Sequence, residues 1–191
     1  MIPFDCGLNP IYNILCAYGE YDPEIGYTQG MNYLAALLFV ATGDEIIAFA
    51  LLQKVMTVHN WRESYKDQLI EIVNLTAKFQ KWLRKNDSKL ADHLEERGVI
   101  LEAQLSSPFM GLFANLVDLE SALHVLDRFI FYGEQGILDV VQSSFVSQRN
   151  EILKMDDPFE LQMYLTRQIY RDAIEKGTFL PQKKVKKFLL F

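Results

Sequence analysis

Gly26-Tyr27-Thr28-Gln29-Gly30-Met31-Asn32-Tyr33, running on into Leu34-Ala35-Ala36-Leu37-Leu38-Phe39-Val40-Ala41-Thr42, decides how the chain is read. The second half of this stretch is apolar nearly all round when wound at helical pitch, and a helix without a polar face has neighbours on most sides. It is therefore predicted as a central helix over about Gln29 to Thr42. The first half pairs two glycines around a Tyr-x-Gln triplet. Gln29 is thus expected near the surface at the mouth of a buried helix, with Gly30 removing side-chain bulk so that another backbone can approach closely.

Helical spacing recurs on both sides of this stretch, and no sustained period-two alternation appears. Upstream, Asn9-Pro10 is a cap followed by proline at the first helical position, and Ile11, Ile14, Leu15 and Tyr18 form a stripe that ends before Asp22-Pro23. Downstream, Gly43 stops the central helix and Asp44 caps the next one, which carries Ile46, Ile47, Phe49 and Leu52. A longer helix is predicted over about Tyr65 to Lys85 and a short one over Leu90 to Arg97. Ser106-Ser107-Pro108 is read as the start of another, and Asp118 as the cap of Leu119 to Tyr132. Further helices follow from about Gly136 to Lys154 and, after the capping box Asp157-Pro158-Phe159-Glu160, up to about Lys176. The expectation is an all-α fold of about nine helices with short connections, one domain over 1–191.

Composition narrows the function. Half of the 191 residues are hydrophobic, the formal net charge is −6, and the body carries no basic stripe, which argues against nucleic acid as the main partner. Cys6 and Cys16 are too few for a disulfide framework and are read as small buried hydrophobes in a reducing, cytoplasmic setting. No basic-then-apolar leader stands at Met1, and the apolar run Tyr33 to Met56 is interrupted by Thr42-Gly43-Asp44-Glu45, so it is read as two buried helices rather than a membrane span. The segment 183–191, Lys183-Lys184-Val185-Lys186-Lys187 followed by Phe188-Leu189-Leu190-Phe191, is basic then apolar, so membrane contact is at most peripheral.

No self-contained catalytic constellation is visible. His59, His93 and His124 lack companions at ligand spacing, so no metal site is expected; there is no Walker-type glycine loop and no G-x-S-x-G elbow, and no cofactor is implied. The remaining candidate is Tyr27-Thr28-Gln29. Taken by itself, a Y-x-Q triplet is also accounted for by Gln29 bonding free backbone groups at the helix start while Tyr27 packs.

The run Leu15-Cys16-Ala17-Tyr18-Gly19-Glu20-Tyr21-Asp22-Pro23-Glu24-Ile25 through Tyr33 closely resembles the core motif of TBC domains, the helical domains of GTPase-activating proteins for Rab-type small GTPases. Tyr12-Asn13-Ile14-Leu15 resembles the helix before it. Leu90-Ala91-Asp92-His93-Leu94, Leu112-Phe113, Leu123-His124-Val125-Leu126-Asp127 and Gly133 resemble later family segments. The resemblance implies an intracellular vesicle-transport role and a GTP- and Mg-bearing Rab-type partner, which is activated rather than chemically processed by this chain. It implies Gln29 as a glutamine finger that orients the attacking water, with Tyr27, Gly30 and Asn32 supporting it and Asp127 holding a helix junction. The family's I-x-x-D-x-x-R arginine motif is not found: Ile2 and Asp5 copy its spacing, but Leu8 stands at the arginine position. The chain is therefore expected to lack the family's N-terminal part and its arginine finger. The alternative expectation is a catalytically inactive interaction module of a larger assembly. Three late departures from the family pattern are Pro108 in place of tryptophan, His124 in place of arginine, and Asp118 in place of proline.

Overall fold

The computed structural model describes residues 9–66 and 69–180. Among these residues every regular element is helical. Asn9 accepts a hydrogen bond from the Ile11 N–H at 3.1 Å and opens α1 (Pro10–Tyr21), with Pro10 in the first turn where its missing N–H costs nothing. The central helix α2 (Met31–Thr42) buries Met31, Leu34, Ala35, Leu37, Leu38 and Ala41 and meets α1, α3 and α7, as its near-uniform apolarity requires. Asp44 caps α3 (Glu45–Val58) by accepting from the Ile46 and Ile47 N–H groups at 2.8 and 2.9 Å.

The expected helix at Tyr65–Lys85 is shorter than its apolar pattern suggests. A 3-10 turn, Trp61–Ser64, precedes it, and α4 (Ile70–Asn86) starts only after Leu69, whose φ is 47°. The reason is tertiary: Trp61, Ser64 and Tyr65 are pulled into the core, with the Trp61 ring 4.7 Å from Phe129. Asp87 then caps α5 (Ser88–Glu96).

One boundary is corrected. Pro108 does not start a helix but sits in the last turn of α6 (Leu101–Met110). Leu101, Leu105 and Phe109 fall at helical spacing on one buried face, and burying side chains of this kind is worth about 1.5–3 kcal/mol each, so the three together outweigh the roughly 3 kcal/mol proline penalty. Leu112 and Phe113 follow at φ 45° and 63°, both fully buried.

Asp118 caps α7 (Leu119–Tyr132) through the Ser121 N–H at 2.9 Å. The helix expected to Lys154 breaks at Gln148, giving α8 (Glu134–Ser147) and the short α9 (Arg149–Ile152). Asp157 caps α10 (Pro158–Met163), which continues through a π-helical turn (Tyr164–Gln168) into α11 (Ile169–Glu175). The nine expected rods are thus present, one of them broken and one bulged. Their inner faces form a continuous hydrophobic cluster that includes Phe79, Phe113, Phe129, Phe145 and Tyr170. No helix among the described residues is long and apolar enough to cross a membrane. Cys16 is exposed, contrary to expectation, because α1 turns that side away from α2 and α3; Cys6 and the segment 183–191 lie outside the described residues.

Candidate functional site

The nine residues Asp22 to Gly30 bridge α1 and α2, and they are held at both ends and in the middle. At the first end, Asp22 closes α1 with its N–H bonded to the Tyr18 carbonyl at 2.8 Å, and its own carbonyl accepts from the Ile25 and Gly26 N–H groups at 3.1 and 2.9 Å. Gly26 takes φ 58°, so the turn reverses without strain. The Asp22 carboxylate receives a bidentate hydrogen bond from Arg62, Nε to Oδ2 at 2.6 Å and Nη2 to Oδ1 at 2.8 Å, and Arg62 also donates to Glu24 at 2.6 Å. This guanidinium holds both carboxyls below the usual carboxylate range. Lys66 and Glu63, paired at 2.8 Å, complete the charged cluster.

In the middle, the Thr28 hydroxyl donates to the Tyr65 carbonyl at 3.2 Å, and the Thr28 N–H points at the Met31 sulfur at 3.2 Å. At the far end Gly30 is buried with φ 102°, and a Cβ there would lie 3.2 Å from Met110 Cβ and 3.4 Å from the Met110 carbonyl oxygen. Tyr65 reaches the same carbonyl with its hydroxyl at 2.9 Å, and burial pushes the Tyr65 hydroxyl pKa well up. The loop is therefore clamped by the turn after α3 on one side and by the end of α6 on the other.

Gln29 projects from this mounting. It is exposed, and its amide makes no hydrogen bond to another described residue. The structure starts α2 at Met31 rather than Gln29, and Gly30 occupies the cap position without a side-chain bond. Helix capping is thus not what Gln29 does. Tyr27 is 60% exposed beside it, its hydroxyl 3.5 Å from Asn32 Oδ1, so Tyr27, Gln29 and Asn32 form one polar, accessible edge. Next to this edge opens a cleft of about 410 Å³ lined by Glu24, Ile25, Thr28, Glu63, Lys66 and Ile70, among others.

Asp127 lies apart from that edge, 2% exposed within α7. Its neighbour Arg128 pairs with Asp139 of α8 at 3.1 Å, where the two helices approach so closely that a Cβ on Gly136 would lie 2.4 Å from the Arg128 carbonyl oxygen. The three histidines are dispersed: His59 packs on Phe129, His93 Nε2 is 3.1 Å from the Met155 carbonyl, and His124 stands 3.9 Å from Glu120. Among the described residues no group of three or more His, Cys, Asp or Glu side chains is arranged to hold a metal. Sequence reasoning missed Arg62, Tyr65 and Met110. The acidic Asp22 and Glu24 and the basic Arg62 and Lys66 are visible as opposite charge clusters, but nothing local pairs them across 40 residues.

Comparison with known proteins decides the family. The family model described as the Rab-GTPase-TBC domain matches residues 4–153. The chain belongs to the TBC domain family. Among its relatives, the GTPase-activating protein GYP5 of Eremothecium gossypii is 32% identical over 128 residues, 67% of this chain and 15% of that protein. The Rab GTPase-activating protein eat-17 of Caenorhabditis elegans is 27% identical over 150 residues, 78% of this chain and 17% of that protein. The matched TBC stretch is thus less than a fifth of the length of either relative. Among solved structures, the Chlamydomonas flagellar RabGAP TBC domain superposes with a TM-score of 0.74 at 18% identity, covering 82% of this chain and 52% of that one, and so shares the all-α fold.

Proposed function

We propose that this TBC domain binds a Rab-type small GTPase carrying GTP and Mg²⁺ and accelerates hydrolysis by inserting Gln29 into the GTPase's nucleotide site. The observation that supports this is the combination of an unbonded, exposed amide with a firmly mounted backbone. A primary amide offers a carbonyl acceptor to the attacking water and an N–H donor to a phosphoryl oxygen, which is what aligning an in-line attack needs. It carries no charge at any ordinary pH, so its alignment does not titrate. Tyr27 and Asn32 would face the partner around it, and Gly30, packed on Met110, would support its placement from behind. Asp127, on the α7–α8 side, would serve the domain's own packing. The phosphoryl charge itself calls for a cation, and an arginine finger is worth about 10³- to 10⁵-fold in rate. Within these 191 residues no I-x-x-D-x-x-R pattern occurs, so that arginine would come from outside them.

The same sequence fact favours a second reading: a module that binds its GTPase, or another protein in a larger assembly, without accelerating hydrolysis. Single-turnover GTP hydrolysis by a panel of Rab-type GTPases separates the two. Acceleration by the wild type that falls at least tenfold in Gln29→Ala supports the glutamine finger. Equal acceleration by both proteins refutes it, and binding of GTP-loaded partner with unchanged hydrolysis supports the interaction module.

A further inference from the structure

We infer that Arg62 is a positioning residue for Gln29, acting through the loop rather than on the GTPase; this rests on the activator reading above. Arg62 stands where its own backbone cannot drift, since its neighbour Trp61 is fully buried against Phe129 and Ser64 is fully buried two residues on. From that fixed base the guanidinium reaches across to the loop. Its two bonds to Asp22 are parallel, the geometry that fixes orientation as well as distance, and its third goes to Glu24. Asp22 is the pivot of the turn: its carbonyl receives Ile25 and Gly26, and Tyr18 donates to its Oδ2 at 3.2 Å. Holding Asp22 therefore sets the direction in which the chain leaves α1 on its way to Gln29. The side chains of Arg62 and Asp22 are only 22% and 12% exposed, so the pair is shielded from the screening that makes most surface ion pairs weak.

Arg62 is an unsuitable arginine finger in this arrangement. The three groups that pair with it, Asp22, Glu24 and Glu63, are acidic, and two of them occupy its donors, while Lys66 sits on the far side of Glu24 and Glu63. Its role is to spend that charge on the loop, leaving Gln29 aligned before any partner arrives. Misplacing a reacting group by about 1 Å costs on the order of 10²-fold in rate, which sets the size of the effect.

The test uses two variants, Arg62→Met and the conservative Arg62→Lys, which keeps charge but loses the fork. Hydrogen exchange comes first because it needs no GTPase. The Ile25, Gly26 and Met31 amides should exchange at least tenfold faster in Arg62→Met, with Arg62→Lys between it and wild type and α8 amides unchanged. In single-turnover hydrolysis Arg62→Met should lower the maximal rate roughly 10- to 100-fold with half-saturation changed less than about threefold. Introduced into Gln29→Ala, Arg62→Met should have no further effect, since a residue that acts through Gln29 has nothing left to position. A further loss of equal size in that background, or unchanged loop exchange, overturns the inference. If the wild type accelerates no GTPase, the activator reading falls, while the exchange data still decide whether Arg62 holds the loop.

Discussion

Replacing Gly30 by alanine probes the mounting of the loop directly, and the size of the effect follows from two features of that position. The first is conformational: φ is 102°, outside the left-handed well that L-residues tolerate, and holding a side chain in such a region costs about 1–3 kcal/mol. The second is steric. The new Cβ would meet Met110 Cβ at 3.2 Å and the Met110 carbonyl oxygen at 3.4 Å, against an optimum of roughly 3.5–4.0 Å between carbons, and overpacking of this kind adds about 1 kcal/mol or more. The smaller entropy of the unfolded alanine chain returns roughly 0.4–1 kcal/mol. The net loss for Gly30→Ala is about 2–3 kcal/mol. Gly26→Ala is the internal control: φ is 58°, within the left-handed well, and nothing lies within 4 Å of the added methyl. Only a conformational cost of about 1–2 kcal/mol applies there, reduced by the same entropy gain to about 1 kcal/mol or less. Thermal denaturation followed by far-ultraviolet circular dichroism measures both. At about 2–4 °C per kcal/mol for a chain of this size, the melting temperature should fall by roughly 4–12 °C for Gly30→Ala and no more than about 4 °C for Gly26→Ala. Equal losses at the two positions would refute the claim that the end of α6 packs against the loop at Gly30.

Two further perturbations bear on the same architecture. Arg62 holds the Asp22 carboxyl below its ordinary value, so the unfolded chain binds the proton more readily; the pair's contribution is present above the unfolded pKa of about 3.9 and is lost as pH falls through the lower folded value. Stability measured against pH should accordingly drop below about pH 4, and Asp22→Asn should flatten that part of the curve; an unchanged slope would mean the pair contributes nothing. Tyr170 is fully buried and its hydroxyl has no hydrogen-bond partner among the described residues, while its ring packs edge-on against Phe113 at 5.0 Å. Tyr170→Phe keeps the ring and removes the desolvated hydroxyl, so it should be neutral or stabilise by up to about 1 kcal/mol in chemical denaturation, and a loss beyond about 1 kcal/mol would show that the hydroxyl is satisfied.

Much of the fold was legible because its signals are local. Asn9, Asp44, Asp118 and Asp157 all cap the helices they were expected to cap, since an oxygen two or three residues before an apolar stripe is enough to start one. The misread boundaries are those decided by packing. Ser106-Ser107-Pro108 carries a local start signal that the buried Leu101, Leu105 and Phe109 override, and the start of α4 is delayed because Trp61 and Tyr65 are worth more inside the core than on a longer helix. Gln148 ends α8 with no proline or glycine to announce it; its fully buried side chain accepts from Lys176 at 2.6 Å, a partner 28 residues away. The site divides in the same way. Gln29, Tyr27 and Gly30 sit in one contiguous motif that the sequence singles out by itself; Arg62, Tyr65 and Met110 reach that motif from other elements, and no local signal points to them.

That division explains why the motif alone is a poor account of the loop. Ordering a free backbone costs about 1–2 kcal/mol per residue, and a nine-residue connection left loose would pay most of that on meeting a partner. Here the cost is met at folding, by Arg62 on Asp22, Thr28 on Tyr65 and Gly30 against Met110. If Gln29 is inserted into a partner as proposed, what would remain to be frozen on binding is its side chain, at most about 2 kcal/mol. A glutamine with bonds of its own would have to break them first. Under the proposed glutamine-finger role, its freedom and the loop's mounting would be complementary requirements of a group delivered into another protein's site, and the residues that supply the mounting lie outside the sequence motif that contains the glutamine.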